Sequence, residues 1–390
     1  MPLWPLLATV AVQTLATMAL YSMPTLAPEV ARDLKVNSAL VGAFVATAYG
    51  VGIASALLSP GLIRRYGGVR ATQVVLLAAA GMLIIAARST GVTGIACAAI
   101  VLGCGYGAAA PASTHLLVPH TPRSVFNLVM SLRQIGVPLG GVFAALLLPP
   151  LAIILGWRGS LLVELIPVFL LILGMELPRR DWDMDRDPGV RPWGRTLLRP
   201  FTLLRDKRFL RLSASSFVYS GLQLCFVAFM TVQLTTVVGF DLVRAGQMLA
   251  VYQVAGSVSR PIWGWIADRY ITPARTLAVH GMGMAFAAGL AGQFNSDWTP
   301  VEILAVVLLA GCTAGGYTGV AYAEYASLGG SRRTEASGLG TALMFSGGLL
   351  LPPLFGASIT FLGGYAVTYR AMAALAMVGA VVMWWSSVRD

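Results

Sequence analysis

The sequence predicts an all-α membrane protein with twelve transmembrane helices in two six-helix, pseudo-symmetric bundles. Three observations lead to this fold class. The 390 residues are 57% hydrophobic and 11% charged, whereas a soluble domain carries roughly 25% charged residues. Twelve apolar runs are each close in length to the ~20 residues that a helix needs to cross a bilayer. Basic residues are concentrated on one side of the predicted membrane.

The apolar runs form two sets of six, separated by a long charged stretch. They lie near 4–26, 38–62, 71–88, 92–118, 125–153, 159–176, 212–238, 243–266, 274–294, 300–326, 337–362 and 365–386. We therefore divide the chain into an N-terminal six-helix bundle (1–176), a cytoplasmic central loop (177–211) and a C-terminal six-helix bundle (212–390).

The distribution of arginine and lysine sets the predicted orientation. With both termini in the cytoplasm, 19 basic residues lie on the cytoplasmic side and 6 on the opposite side. Because basic loops remain inside, we predict a multi-pass protein of the cell inner membrane with cytoplasmic termini. The same loops account for the net charge of +11, so nucleic-acid binding is not expected. We expect a monomer whose surroundings are the lipid bilayer.

The residues that usually carry enzyme chemistry are few and dispersed. Three histidines are scattered along the chain, and the four cysteines fall inside apolar runs without the spacing of a zinc site or a disulfide framework. The sequence also lacks a Gly-x-x-x-x-Gly-Lys-Ser/Thr nucleotide loop. We therefore expect no enzyme, metal site or cofactor, and we interpret the cysteines as packing residues.

The two sets of runs resemble each other internally. Gly103-Cys104 in the fourth run corresponds to Gly311-Cys312 in the tenth, and a segment rich in glycine and tyrosine follows each pair. Arg64-Arg65-Tyr66 after the second run corresponds to Asp268-Arg269-Tyr270 after the eighth. Parallel six-helix repeats with a binding site at their interface are a plan of secondary transporters.

Short motifs in both halves carry a family resemblance. The segment Gly264–Tyr270 (GWIADRY) resembles the loop signature of the major facilitator superfamily, in which a glycine precedes an Asp-Arg pair by four residues. In the first half, Pro60 replaces that glycine and Arg64 replaces the aspartate. Gly136–Gly141 is similar to the Gly-Pro-rich motif of helix 5 in this family. The resemblance implies a twelve-helix secondary transporter that works by alternating access without ATP.

The loop signature places Asp268 and Arg269 at a predicted cytoplasmic helix end, among other arginines. We expect ion pairs of Asp268 to break when the two halves rock, so both residues are candidates for gating. The alternative is that they serve only the packing of the helix ends.

Arg133 is the most unexpected charge in the sequence. It lies about nine residues into the fifth run, or roughly 13 Å deep at the rise of an α-helix. Charges inside the bilayer are costly and mark functional sites. We interpret Arg133, with its neighbour Gln134, as a substrate or coupling residue. The alternative is a structural ion pair or hydrogen bonds to carbonyl groups.

Arg260 is a second arginine within a span. The pattern Arg260-Pro261-x-x-Gly264 is similar to the helix-8 stretch of monocarboxylate and oxalate/formate carriers. This resemblance implies that Arg260 holds a substrate carboxylate, a task that suits the planar guanidinium. The sequence departs from the monocarboxylate pattern at Gly256, where that family has aspartate. The alternative is an arginine that snorkels to the cytoplasmic interface.

Two titratable residues are candidates for proton coupling. Glu324 in the tenth run corresponds by repeat to His115 in the fourth. Buried carboxylates and histidines can be shifted to titrate in the physiological range. The alternative is an ion-pair network at the cytoplasmic end with Arg269, Arg332 and Arg333.

Several further polar side chains interrupt the apolar runs. Each of them either lines the substrate cavity or packs in the helix bundle with its polar group satisfied. They are Tyr49, Tyr106, Tyr219, Gln223, Tyr252, Gln253 and Tyr317.

The predicted function follows from the two arginines. Neither of their spans carries a carboxylate near the arginine, so together they make a positive cavity that attracts carboxylates. We predict a symporter that moves a small organic anion with protons. The alternative is a proton-driven exporter of hydrophobic or amphipathic compounds, which the helix-5 motif favours.

Overall fold

The structure is a computed structural model that describes residues 3–35, 40–190, 199–361 and 363–388. Within these residues the regular secondary structure is entirely helical. The predicted all-α fold is therefore confirmed for this part of the chain. Arg191, Arg195 and Arg389, which contribute to the count of basic residues, lie outside the described residues.

Long apolar helices make up the first half of the chain. The helices, numbered in chain order, are α1 (Leu3–Thr25), α2 (Ala27–Leu34), α3 (Leu40–Tyr66), α4 (Gly68–Arg88), α5 (Val92–Tyr106), α6 (Ala109–Leu117), α7 (Phe126–Arg133), α8 (Gly136–Gly174) and the short α9 (Arg179–Trp182).

The second half is built in the same way, with two π-helical segments. The helices are α10 (Lys207–Gln233), α11 (Leu242–Arg269), α12 (Pro273–Ala291), α13 (Pro300–Ala310), α14 (Thr318–Gly329), α15 (Arg333–Phe361) and α16 (Tyr365–Val388). The π segments are Leu234–Val238, after α10, and Gly311–Gly315, between α13 and α14.

Eight helical segments of the described chain are long and apolar enough to cross a membrane. Two of them, Arg123–Gly174 and Pro300–Ile359, have 52 and 60 residues. Since one crossing needs about 20 residues, each of these two is long enough to cross twice. Exposed apolar side chains such as Ile153, Leu170 and Phe286 cover the outer surfaces of the helices. Lipid is the solvent that suits this surface.

The chain forms two compact units, and each contains a short segment from the opposite half of the sequence. Unit 1 comprises Met1–Thr121, Arg133–Thr202 and Gly329–Ala342. Unit 2 comprises Pro122–Leu132, Leu203–Leu328 and Leu343–Asp390. The start of the fifth predicted span thus packs in unit 2, and the start of the eleventh packs in unit 1.

A single glycine replaces the loop expected between the fifth and sixth spans. Gly156 has φ 70° and ψ 165°, a non-helical conformation inside α8 that favours glycine. The chain therefore turns at one residue, whereas the sequence predicts a gap at 154–158. Beside this turn, Arg158 and the Trp157 indole N–H donate to the carboxylate of Asp33. These two hydrogen bonds lower the pKa of Asp33.

Candidate functional site

Arg133 lies at the junction of two helices in the fifth span. It is the last residue of α7, and α8 begins at Gly136, while Ile135 between them keeps helical backbone angles (φ −63°, ψ −24°). The Arg133 side chain is completely buried and its Nη2 donates to Oε1 of Gln13 on α1 at 2.6 Å.

The contact with Gln13 begins a chain of polar groups across unit 1. The Gln13 amide donates from Nε2 to Oγ1 of Thr17 at 3.0 Å. Thr17 Oγ1 lies 3.2 Å from the hydroxyl of Tyr106, near the end of α5. The Tyr106 ring meets the ring of Tyr49 on α3 edge to face, with centroids 6.0 Å apart. Three helices (α7, α1 and α5) thus contribute to one line of polar groups, the Arg133–Tyr106 chain, and α3 adds the Tyr49 ring beside it.

Glycines of α8 hold α1 close to Arg133. A Cβ atom at Gly136 would lie 2.8 Å from the carbonyl oxygen of Val10, and one at Gly140 would lie 2.4 Å from that of Thr14. Glycine pairs with this spacing let two helices approach closely in lipid. The predicted helix-5 glycine motif therefore positions Gln13 against the arginine.

Gln13 and Thr17 are not among the residues predicted from the sequence. Their spacing of four residues on α1 puts both side chains on one helix face. Both are uncharged polar residues within an apolar run that also contains Thr9, Thr14 and Ser22, and both are buried in the structure. The four-residue spacing of Gln13 and Thr17 is visible in the sequence. Only the contact with Arg133 shows that this face of α1 is directed toward the arginine.

In unit 2, Arg260 is also buried and donates from Nε to the carbonyl oxygen of Gly315 at 2.8 Å. The acceptor belongs to the π segment Gly311–Gly315. Two neighbours on α11 donate to another carbonyl of this segment, because Ser259 Oγ lies 3.2 Å and Trp263 Nε1 lies 2.9 Å from Cys312 O. Burial and this carbonyl contact distinguish Arg260 from an arginine that extends to the membrane surface.

Steric contacts explain why residue 256 is a glycine. A Cβ atom there would lie 2.9 Å from the Cα atom of Gly315 and 3.2 Å from Gly311 O. The close approach of α11 to the π segment therefore leaves no room for the aspartate that monocarboxylate carriers have at this position. The same approach brings Arg260 to the Gly315 carbonyl.

The remaining candidate side chains of the second half differ in how deeply they are buried. Tyr219, Tyr252 and Tyr317 are fully buried in unit 2, where Tyr219 and Tyr317 pack edge to face at 5.6 Å. Gln223 and Gln253 are half-buried. The Tyr252 hydroxyl lies 3.4 Å from the backbone carbonyl of Gln223. The three tyrosines are therefore packed inside unit 2, while the two glutamines retain accessible surface.

Asp268 contacts the start of α7, and within the described part of the chain no ion pair joins it to an arginine. Its Oδ1 accepts hydrogen bonds from the backbone N–H (3.0 Å) and side-chain amide (2.8 Å) of Asn127. Its Oδ2 accepts from the backbone N–H of Leu128 at 2.9 Å. A carboxylate at a helix N-terminus satisfies orphan N–H groups and complements the helix dipole. The ion pair expected from the sequence is thus replaced by a cap on α7, and Arg269 is exposed beside it.

In unit 1 the charges are arranged in the opposite sense. Arg64, which stands where the loop signature has aspartate, lies 4.0 Å from Oε1 of Glu335 near the start of α15. Arg199 lies at the same distance, and Arg332 pairs with Oε2 at 2.7 Å. In unit 2 the carboxylate is therefore Asp268, in the loop signature. In unit 1 it is Glu335, at the start of the eleventh span.

The two coupling candidates occupy different surroundings. His115 on α6 is buried, with Nδ1 3.1 Å from the Thr334 hydroxyl and Nε2 3.1 Å from the carboxylate of Asp185. Glu324 on α14 is half-buried. A third buried carboxyl is Glu164 on α8, whose Oε2 accepts from Ser22 Oγ at 2.6 Å. No motif or repeat around Glu164 indicates a role for this residue.

Metal binding finds no support in the described part of the chain. No group of three or more His, Cys, Asp or Glu side chains comes together there. The chemistry that the arrangement offers is the binding of a charged or polar molecule by arginine, amide and hydroxyl groups inside an apolar protein.

Apolar helices around buried polar side chains define a multi-pass membrane protein with a polar interior. The family model of the Major Facilitator Superfamily matches residues 6–352. The chain belongs to the Major Facilitator Superfamily. It is a secondary transporter and not an enzyme. The family predicted from the loop signature is thereby confirmed.

Individual relatives agree with this assignment. The 4-hydroxybenzoate transporter PcaK of Pseudomonas aeruginosa is 26% identical over a 333-residue alignment that covers 76% of this chain and 72% of PcaK. The human organic anion transporter MFSD10 (TETRAN) has the same fold, with a TM-score of 0.78 at 16% identity over 97% of this chain and 98% of MFSD10. The fucose:proton symporter FucP of E. coli gives a TM-score of 0.75 at 14% identity, covering 99% of both chains.

Proposed function

We propose that this transporter moves a small organic anion, a carboxylate, together with protons. Twelve helices would carry it by alternating access in the inner membrane. The observation that carries the proposal is the completely buried guanidinium of Arg133, oriented by Gln13 at 2.6 Å. A planar guanidinium binds a carboxylate through two parallel hydrogen bonds, and burial strengthens this attraction.

The names of similar proteins support an aromatic or other organic acid as the substrate class. PcaK is a transporter of 4-hydroxybenzoate and MFSD10 an organic anion transporter. The proton half of the proposal is supported by FucP, which is a fucose:proton symporter. The phenol rings of Tyr49 and Tyr106 add aromatic surface beside the Arg133–Tyr106 chain, which suits a ring-bearing acid.

Uptake into proteoliposomes tests the substrate class. The panel comprises 4-hydroxybenzoate, an aliphatic monocarboxylate, a dicarboxylate, fucose and the lipophilic cation tetraphenylphosphonium, each with and without an inward proton gradient. We expect gradient-dependent accumulation of at least one carboxylate and none of the cation. Transport of the cation alone would overturn the proposal and favour a proton-driven exporter of amphipathic compounds.

Proton coupling gives a separate prediction for Glu324 and His115. Glutamine resembles a protonated glutamate but cannot release a proton, so Glu324→Gln is expected to abolish gradient-driven accumulation while preserving counterflow exchange. His115→Gln is the companion variant. Because Thr334 and Asp185 already contact both ring nitrogens, we expect a smaller loss of accumulation. Normal accumulation in both variants would exclude these residues from coupling.

The proposed topology is tested by reporter fusions. Alkaline phosphatase and green fluorescent protein, fused in turn after Asp183 and after Asp390, should both report the cytoplasm, because basic residues are concentrated near these points. A fusion after Arg88 serves as the control and should report the opposite side. A periplasmic signal at Asp183 or Asp390 would contradict the arrangement of six helices on each side of the central loop.

A further inference from the structure

A groove on the surface of unit 1 is separate from the Arg133–Tyr106 chain. It has a volume of about 860 Å³ and lies between α3, α4 and α5, with the segment after α9 at one end. This volume is in the range of sites that hold small organic molecules, about 300–1,000 Å³. We call it the α3–α4 groove. Its walls and its end differ in chemistry.

The walls of the α3–α4 groove are apolar. Leu58, Leu62, Val74 and Leu77 line it, and about half of the surface of Val74 and of Leu77 is exposed. The serines that also line it are satisfied by backbone carbonyls. Ser55 Oγ donates to Cys104 O at 2.7 Å, and Ser59 Oγ donates to Ala56 O at 3.1 Å. A ligand in the groove therefore meets hydrocarbon along most of its length.

The length of the groove matches one leaflet of a bilayer. Between Val51 and Leu62, which both line it, α3 advances eleven residues, or ~16 Å at 1.5 Å per residue. This is about half of the ~30 Å hydrocarbon core. The groove therefore runs from near the middle of the membrane to the helix ends that are predicted to face the cytoplasm.

Four arginines surround that end of the groove: Arg65, Arg70, Arg179 and Arg186. Glu176 is the carboxylate in contact with this set, at 2.9 Å from Arg70 and 2.8 Å from Arg179. Among the described residues, Arg186 has no ion-pair partner, and Arg65 donates only to the Val190 carbonyl, at 3.3 Å. The charged residues that line the groove are thus four arginines, and no carboxylate is among its described lining residues.

The nearby carboxylates of Asp183 and Asp187 are held by backbone N–H groups. Asp183 binds the N-terminus of α4, where its Oδ1 accepts from the backbone N–H of Val69 at 2.8 Å. Burial raises the pKa of Asp183. The carboxylate of Asp187 accepts from the backbone N–H of Gly189 at 3.0 Å. Arginine side chains, and not the end of a helix, therefore provide the attraction for an anion.

We propose that the α3–α4 groove binds one anionic phospholipid of the cytoplasmic leaflet. Its phosphodiester lies between Arg65 and Arg186, and an acyl chain follows the apolar wall toward Val51. Basic pockets between transmembrane helices bind anionic lipid headgroups in this way. The bound lipid joins α3, α4 and the segment after α9 within unit 1, so it stabilises the first part of the central loop.

Native mass spectrometry of the purified full-length protein in detergent tests the proposal. Equimolar palmitoyl-oleoyl phosphatidylglycerol and palmitoyl-oleoyl phosphatidylcholine compete for the protein, and we measure the ratio of the two bound lipids. The parent should prefer phosphatidylglycerol. In the variant Arg65→Gln/Arg186→Gln this preference should fall by at least about fivefold, since one arginine near a lipid surface contributes about that factor.

Two further variants exclude simpler explanations. The pair Arg123→Gln/Arg275→Gln removes the same charge from exposed positions outside the groove, and it should keep the preference. Ala54→Trp fills the exposed wall of the groove without changing charge, so it should reduce the retention of both lipids. Parity of the two lipids on the parent would overturn the proposal, as would an equal loss in the control pair. Displacement of phosphatidylglycerol by equimolar glycerol 3-phosphate would also overturn it, because a free anion would then suffice.

Discussion

Arg133→Lys is expected to bind an anionic substrate at least about tenfold more weakly than the parent while accumulating in the membrane at the parental level. Lysine keeps the positive charge but loses the planar fork that holds a carboxylate through two hydrogen bonds. A hydrogen bond to a charged group contributes roughly 1.5–3 kcal/mol, or about ten- to a hundredfold in affinity. Isothermal titration with the best carboxylate of the uptake panel measures the change.

Two variants make this prediction specific to the Arg133–Tyr106 chain. Arg123→Lys changes an exposed arginine before the same span and should leave the affinity unchanged. Gln13→Glu places a carboxylate 2.6 Å from the guanidinium, where Gln13 now accepts from Nη2. This internal carboxylate competes with the substrate, so Gln13→Glu should also weaken binding. Parental affinity in both Arg133→Lys and Gln13→Glu would exclude Arg133 from the substrate site.

Arg260→Lys separates the contributions of the two units. Lysine can retain a hydrogen bond to Gly315 O, which Arg260 contacts through Nε, but it loses the remaining donors of the guanidinium. A loss of affinity like that of Arg133→Lys would assign both arginines to the anion. Parental affinity in Arg260→Lys alone would assign the anion to Arg133 and leave Arg260 as a residue that supports the π segment.

Asp268→Asn is expected to lower the turnover of transport by at least about tenfold with little change in substrate affinity. Both carboxylate oxygens accept hydrogen bonds at the start of α7, and one of them accepts from the backbone N–H of Leu128. An amide has only one acceptor oxygen, so its NH₂ group would face an N–H donor, and the charge-assisted bonds would be lost. Conformational steps often limit turnover in proteins that open and close, so the effect should fall on the rate.

Asp241→Asn is the matched control for this variant. Asp241 also caps a helix, since its carboxylate accepts from the backbone N–H of Arg244 at the start of α11. Asparagine is an equally good residue at such a position, so transport should remain at the parental rate. Uptake kinetics and equilibrium binding are measured for both variants. Unchanged turnover with weakened binding in Asp268→Asn would show that Asp268 acts on the site and not on the conformational step.

Much of the fold could be predicted because membrane helices depend on local composition. Apolar runs of sufficient length must be helical in lipid, where each backbone group needs a partner within the protein. The interruptions were not predictable in the same way. The turn at Gly156 and the π segment Gly311–Gly315 depend on neighbouring helices, and the glycines that permit them look like ordinary packing residues in the sequence.

The candidate site could be predicted less completely than the fold. Arg133 stood out because a charge inside a span is rare and costly. Gln13 and Thr17 did not, because uncharged polar residues cost less and their importance depends on which helix they face. The partner of Asp268 lies 141 residues away on α7, and no pattern near Asp268 indicates it. Contacts between distant helices were therefore the part that required the structure.

The opposite arrangement of charges in the two units makes the two halves of the chain non-interchangeable. Two copies of the first half would place Arg64 opposite Asn127, with no carboxylate at the contact. Two copies of the second half would place Asp268 opposite Glu335, so that two like charges would repel each other. A chain built from two identical halves would therefore lack both contacts unless these charges were first exchanged.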